Sequence, residues 1–188
     1  MQNMGCAFSE VYALKVRNMA LCGLFAALLA VCAWLAVPVG DGVITLQTFG
    51  VFLTLGVLGG KRGSISILVY LLLGAVGLPV FAGFRGGFGA LLDTNGGYLL
   101  GFLVAALVYW LLEICLGDRT WVWVIGMILG LLVCYTCGCL WFLFGYLADG
   151  TAMGMGTVIL KTVVPYLIPD GIKLTLAWYL SNKLRKHI

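Results

Sequence analysis

Charged residues are scarce in this sequence. Only 10% of its 188 residues are Asp, Glu, Lys or Arg, against about 25% in a typical soluble domain. Histidine is scarcer still, because His187 is the only one, and this nearly excludes histidine-based catalysis or metal binding. Segments that alternate apolar and polar residues are also lacking, which argues against a transmembrane β-barrel. These absences point away from soluble enzymes and barrels alike.

Long apolar stretches are what the sequence has instead, since 63% of its residues are hydrophobic. A membrane-spanning helix needs about 20 predominantly apolar residues, and six stretches approach this length. They lie at residues 19–38, 43–60, 64–82, 97–116, 121–147 and 157–182. Many of the 27 glycines recur at small-xxx-small spacing, as in Gly97/Gly101 and Gly126/Gly130, which favours close helix packing. The sequence predicts an all-α integral membrane protein, a single domain over residues 1–188 formed by a compact bundle of six transmembrane helices.

Basic residues are distributed as the positive-inside rule requires if both termini are cytoplasmic. Arg85 and Lys173 are among the few that this orientation leaves over. The net charge of +4 is explained by orientation in a lipid bilayer and indicates no nucleic-acid partner. The residues that fall on the inner side are Lys15, Arg17, Lys61, Arg62, Arg119, Lys183, Arg185 and Lys186.

Two opposite charges, Asp170 and Lys173, interrupt the last apolar stretch. An ionisable side chain at the centre of a bilayer costs about 3 kcal/mol on insertion scales, so such residues pair, line a cavity or bind something. Residues three apart share a helix face and can offer one ligand an acceptor and a donor. Pro169 is expected to open the final helix, which would place the pair in its first turn. The alternative is that the two charges only neutralise each other.

A glycine-rich run at residues 83–97 lies between the third and fourth stretches. It is predicted to be an outer loop without regular helix. Together with Tyr98 it offers backbone amides, Arg85 and Asn95, which suits a lid over a small polar ligand. Neither this run nor residues 59–64 has the Walker A spacing, so the sequence predicts no nucleotide site.

Three cysteines, Cys134, Cys137 and Cys139, lie close together in the fifth stretch. A C-x-x-C spacing is found in redox and metal sites, but here it is within an apolar span without a nearby histidine. We interpret these residues as small side chains at a helix interface and predict no metal site.

Four segments carry a family resemblance: Ile44-Thr-Leu-Gln-Thr-Phe-Gly-Val51, residues 71–89 with Arg85-Gly-Gly-Phe-Gly89, Gly96-Gly-Tyr-Leu-Leu-Gly-Phe102 and Pro169-Asp-Gly-Ile-Lys173. Together they resemble the BioY family, the biotin-binding S components of energy-coupling-factor (ECF) vitamin transporters. The resemblance extends over nearly the whole chain, and the segments occur in the family's order and spacing. One element differs: where the family usually has Gly-Pro-Thr-Gly-Gly-Tyr, this chain has Asp93-Thr-Asn-Gly-Gly-Tyr98.

The resemblance implies that Asp170 and Lys173 contact biotin. A carboxylate can accept from an N–H of the ureido ring and an ammonium can donate to the ring oxygen, while Arg85 would face the valerate carboxylate. The reverse assignment, with Lys173 on the valerate carboxylate, stays open. Gln47, Asn95 and Tyr98 are expected as supporting contacts. Biotin is the expected ligand, and no cofactor is expected.

The resemblance also implies partners, because this chain has no ATPase segment. A membrane-embedded T component and two ATPase subunits would drive uptake in a bacterial cell membrane. Docking is expected through Ala26 and Ala30 of the first helix, with Gly23 and Ala27 as a neighbouring small ridge; the alternative is that these residues pack within the chain's own bundle. Other possibilities are an S component for thiamine or riboflavin, a solitary biotin carrier, or an intramembrane enzyme that uses Asp170.

Overall fold

The helices of this computed structural model confirm the predicted class. It describes residues 2–39, 42–148 and 155–186; the other residues of the predicted 1–188 domain lie outside this description. Four of the described helices are long and apolar enough to cross a membrane. The elements in chain order are α1 (Gln2–Trp34), β1 (Ala36–Val39), β2 (Gly42–Thr45), α2 (Gln47–Ala75), a 3-10 turn (Ala82–Phe84), α3 (Phe88–Leu92), α4 (Gly96–Leu116), α5 (Thr120–Ala148), α6 (Met155–Thr162) and α7 (Val164–Leu184).

A β-hairpin separates the first two predicted spans, 19–38 and 43–60. Strands β1 and β2 pair antiparallel, with Val37 opposite Ile44. The span boundaries at 38 and 43 were therefore wrong, since α1 ends at Trp34 and α2 begins at Gln47. The β-branched residues of this segment favour strand geometry. Because they are also apolar, hydrophobicity alone does not distinguish them from the end of a membrane-spanning helix.

The second and third predicted spans both lie in α2, which consists of two helical segments joined by a sharp turn at Gly59. Gly59 has φ 78° and ψ 173°, a backbone conformation that suits glycine. Eight residues of straight helix extend about 12 Å, yet a Cβ added at Gly63 would lie 3.2 Å from the Cα of Leu55. Residues 47–58 and 60–75 are therefore antiparallel neighbours, and the chain turns at Gly59, close to the predicted boundary of the second span at residue 60.

The predicted small-residue contacts join α4 to α5. A Cβ at Gly97 would lie 2.2 Å from the Cβ of Trp141, and one at Gly101 would lie 3.1 Å from the Cα of Cys134. Because glycine has no side chain, the two backbones can approach this closely. α4 and α5 therefore pack directly against each other.

Contacts along the helices define two ends of the bundle. At one end the Glu113 carboxylate accepts the Gly60 amide at 2.7 Å; we call this the Glu113 end. At the other end lie the hairpin and the loop at residues 76–95, and we call it the loop end. Phe81 fastens this loop by packing edge-on against Tyr70, with ring centroids 5.6 Å apart. Trp34 makes a second contact with the loop: its indole N–H donates to the carbonyl of Pro79 at 2.8 Å.

The loop is partly helical, contrary to expectation. A five-residue helix, Phe88–Leu92, forms within the glycine-rich run. It follows Gly83 and Gly87, whose positive φ values of 71° and 91° let the chain turn sharply. Glycine density therefore excluded a long helix but not a single turn.

Candidate functional site

Asp170 and Lys173 are buried in α7, with 3% and 6% of their surface exposed. The lysine ammonium contacts Oδ1 of the aspartate at 2.7 Å. The prediction that Pro169 opens this helix was wrong: α7 begins at Val164, with Pro165 in its first turn and Pro169 inside it. The pair therefore lies beyond the first turn, away from the free amides of the helix end.

A third residue, Tyr135 of α5, completes the cluster. Its hydroxyl donates to Oδ2 of Asp170 at 2.6 Å, and this contact is buried. Two donors therefore occupy one position on each oxygen of the carboxylate. An ionised carboxylate has about four acceptor positions and an ammonium has three donors. Among the residues that the structure describes, the cluster therefore has acceptor positions left over beside donors that are also left over.

Gln47 is buried at a similar depth, in a second polar contact. Its side-chain amide donates to the hydroxyl of Tyr70 at 2.8 Å. A Cβ at Gly56 would lie 2.7 Å from that of Ser181, so α2 and α7 meet there. Gln47 precedes Gly56 in α2, and Lys173 precedes Ser181 in α7. At 1.5 Å per residue, both therefore lie about 12–14 Å from the Gly56–Ser181 contact, in the direction of the loop end. The two polar contacts thus share a layer of the bundle.

Tyr98 lies beside the cluster. A Cβ at Gly138 would lie 2.2 Å from the ring of Tyr98, and Gly138 is one turn along α5 from Tyr135. Cys134 donates weakly to the backbone carbonyl of Tyr98, with sulfur and oxygen 3.7 Å apart. Cys134 and Cys139 are buried, which agrees with their interpretation as packing residues. Tyr98 therefore packs against the part of α5 that carries Tyr135.

Arg85 and Asn95 are exposed in the loop and do not contact the buried pair. Arg85 forms an ion pair with Asp93, one of the three residues at which this loop differs from the family pattern given above. The backbone amide of Thr94 donates to Asp93 at 2.7 Å and, with help from Arg85, holds the pKa of the Asp93 carboxyl below its usual range. A cavity of about 390 Å³ opens beside the ion pair, lined by Arg85, Gly86, Gly89, Ala90, Leu92 and Asp93.

The predicted docking residues are inside the bundle. Ala26 is 2% exposed and Ala30 is 5% exposed, so both pack against this chain's own helices, as the alternative interpretation required. The neighbouring small ridge of Gly23 and Ala27, extended by Ala20, is exposed instead. A partner helix could reach Ala26 or Ala30 only if α1 moved.

Comparisons with known proteins agree with this arrangement. The family model described as the BioY family matches residues 4–188. The chain belongs to the BioY family. Among BioY relatives, the biotin transporter BioY of Thermotoga maritima is 39% identical over 172 residues, which cover 91% of this chain and 97% of that protein. The probable biotin transporter BioY of Pyrococcus horikoshii is 36% identical over 172 residues, covering 92% and 98%.

A solved structure shares the BioY fold of this chain. It is the crystal structure at 2.1 Å of the S-component for biotin from an ECF-type ABC transporter, with a TM-score of 0.80, 26% identity and 93% of each chain covered. The chain is therefore a multi-pass membrane protein with the S-component fold. Membership of this transporter family removes the alternative of an intramembrane enzyme.

Two residues of the site were missed by the sequence analysis, Tyr135 and Tyr70. Each is a tyrosine within an apolar stretch, and a buried tyrosine hydroxyl needs a hydrogen-bond partner. The sequence contained that signal but did not identify the hydrogen-bond partners, because Asp170 lies 35 residues from Tyr135 and Gln47 lies 23 residues from Tyr70.

Proposed function

We propose that this chain captures biotin at the Asp170–Lys173–Tyr135 cluster, as the substrate-binding subunit of an ECF-type transporter. The observation that carries the proposal is the buried cluster, which keeps carboxylate acceptors next to ammonium donors. A cyclic urea presents the matching pattern, with an N–H donor beside a carbonyl acceptor. Charge-assisted hydrogen bonds on both would be strong inside the bundle.

Equilibrium binding tests this proposal. Labelled biotin is titrated onto the detergent-purified chain, with unlabelled biotin, thiamine or riboflavin as competitor. We expect displacement by biotin alone. Equal displacement by thiamine or riboflavin would contradict biotin selectivity and favour an S component for another vitamin.

Arg85 is proposed to hold the carboxylate at the other end of biotin. Arg85→Gln is expected to weaken biotin binding by about tenfold, and to leave binding of biotin methyl ester, which has no carboxylate charge, within twofold of wild type. Asp93→Asn removes the competing carboxylate and is expected to strengthen binding of biotin but not of the ester. Both affinities are measured by competition against labelled biotin; equal losses for acid and ester in Arg85→Gln would contradict the assignment.

We also propose that a T component and two ATPase subunits energise uptake, and that α1 docks through its exposed small ridge. Close helix approach in membranes uses small residues, and Gly23 has open space around its missing Cβ. The basic residues Lys61, Arg119 and Lys183 are in or beside the helix termini at the Glu113 end. We propose that this end and both chain termini face the cytoplasm.

Ala27→Trp tests the docking surface. The large side chain is expected to reduce biotin uptake in cells at least tenfold, because it separates the partner helices, while biotin binding by the purified chain stays within twofold of wild type. Leu107→Trp, at an exposed position of α4, serves as the control for added bulk away from α1. Normal uptake by Ala27→Trp would show that the ridge is not a docking surface.

A further inference from the structure

Tyr135 contacts the carboxylate oxygen that Lys173 does not. Lys173 donates to Oδ1 of Asp170 at 2.7 Å and Tyr135 donates to Oδ2 at 2.6 Å, both in buried contacts. Tyr135 itself is 8% exposed. The carboxylate is therefore held between two helices, by a lysine of its own helix and a tyrosine of α5.

The contact with Tyr135 restricts rotation of the Asp170 carboxylate, which the ion pair with Lys173 alone does not. The terminal torsion of an aspartate side chain is broad and roughly two-fold, so a single donor on one oxygen does not fix the plane of the carboxylate. A donor on each oxygen, from two different helices, does fix it. The lone pairs of the Asp170 carboxylate that accept from neither Lys173 nor Tyr135 then point in a fixed direction.

The position of the Tyr135 hydroxyl is fixed because α5 packs closely against α4 on both sides of Tyr135. Cys134, its neighbour in sequence, contacts the backbone carbonyl of Tyr98, and the ring of Tyr98 covers Gly138 on the next turn. A Cβ at Gly101 would contact the backbone of Cys134 at 3.1 Å. Tyr135 therefore extends toward α7 from a part of α5 that packs tightly against α4.

We infer that Tyr135 is a positioning residue for ligand recognition, which rests on the proposed function: it acts through Asp170, by fixing the carboxylate plane in which an N–H donor of the ligand is accepted. The ligand class is a cyclic urea, whose N–H and carbonyl groups have a fixed relative direction. Such a ligand gains most from a carboxylate that is already oriented before binding.

A double-mutant cycle tests the inference through binding. Tyr135→Phe removes only the hydroxyl, and we expect it to weaken biotin binding about tenfold in the wild-type background. In the Asp170→Ala background, which has no carboxylate to position, the same change is expected to alter the affinity less than twofold. Tyr179→Phe, an exposed tyrosine of α7, is the matched control and is expected to bind as wild type. Equal losses in both backgrounds would contradict the inference, because Tyr135 would then act on packing alone.

Infrared spectroscopy of the ligand-free protein provides a readout that does not depend on biotin. Difference spectra against Asp170→Asn identify the carboxylate stretching bands of Asp170. We expect these bands to shift in Tyr135→Phe and to stay in place in Tyr179→Phe, because only the first change removes a donor. Unshifted bands in Tyr135→Phe would overturn the inference. Wild-type protein that binds no biotin would contradict the proposed function, and the infrared comparison would still decide whether Tyr135 holds the carboxylate.

Discussion

Replacing Asp170 by asparagine is expected to weaken biotin binding ten- to a hundredfold. The change keeps the size of the side chain but removes its charge, so the ligand N–H loses a charged acceptor and Lys173 loses its counter-ion inside the bundle. The loss of a buried charged hydrogen bond is about 1–3 kcal/mol, which corresponds to this range of affinities. Titration of labelled biotin onto the purified variant measures it.

A matched control separates this effect from a general loss of carboxylate charge. Asp118→Asn makes the same chemical change at the Glu113 end, where Asp118 contacts Arg185 at 2.9 Å in an exposed ion pair. We expect its biotin affinity to be unchanged, since exposed pairs contribute little. If Asp170→Asn also bound biotin with wild-type affinity while remaining folded, Asp170 would not be a ligand contact.

Gly60→Val is expected to destabilise the folded protein strongly. A Cβ at Gly60 would lie 2.5 Å from the Cα of Trp110, and a backbone atom in a packed helix cannot move aside as a flexible side chain can. Overpacking of this kind costs about 1–3 kcal/mol and sometimes more. We expect a lower unfolding midpoint in detergent, measured by thermal denaturation of the purified variant.

Gly145→Val is the control for the loss of a glycine from a helix. Gly145 lies in α5 with nothing within 4 Å of the position of an added Cβ, so the same substitution meets open space. Its unfolding midpoint is expected to stay close to wild type. A Gly60→Val protein as stable as Gly145→Val would show that α2 and α4 do not approach each other as closely as described.

The membrane class and the pairing of the buried charges could be predicted because both follow from local pattern. Apolar length reports a spanning helix directly, and a three-residue spacing brings Asp170 and Lys173 together in any helix. Helix starts were harder, as Pro169 shows. A proline suits the first turn, but the chain contains two prolines four residues apart, and the fold uses Pro165 for the start and tolerates Pro169 inside.

Tertiary partners could not be predicted from one sequence. The contact between Tyr135 and Asp170 depends on how α5 and α7 are rotated about their axes, and neither span has enough polar residues to indicate that rotation. The same applies to Ala26 and Gly23: both are small residues on α1, and only the packed bundle shows that the first is buried and the second exposed.

The most direct test of the central claim is a crystal structure of this protein with biotin bound. We expect the ureido ring between Asp170 and Lys173, with a ring N–H and the ring oxygen each about 3 Å from their partners, and the valerate carboxylate toward Arg85. Biotin seated only in the loop cavity beside Asp93, with Asp170, Lys173 and Tyr135 still in contact with one another and not with the ligand, would contradict it.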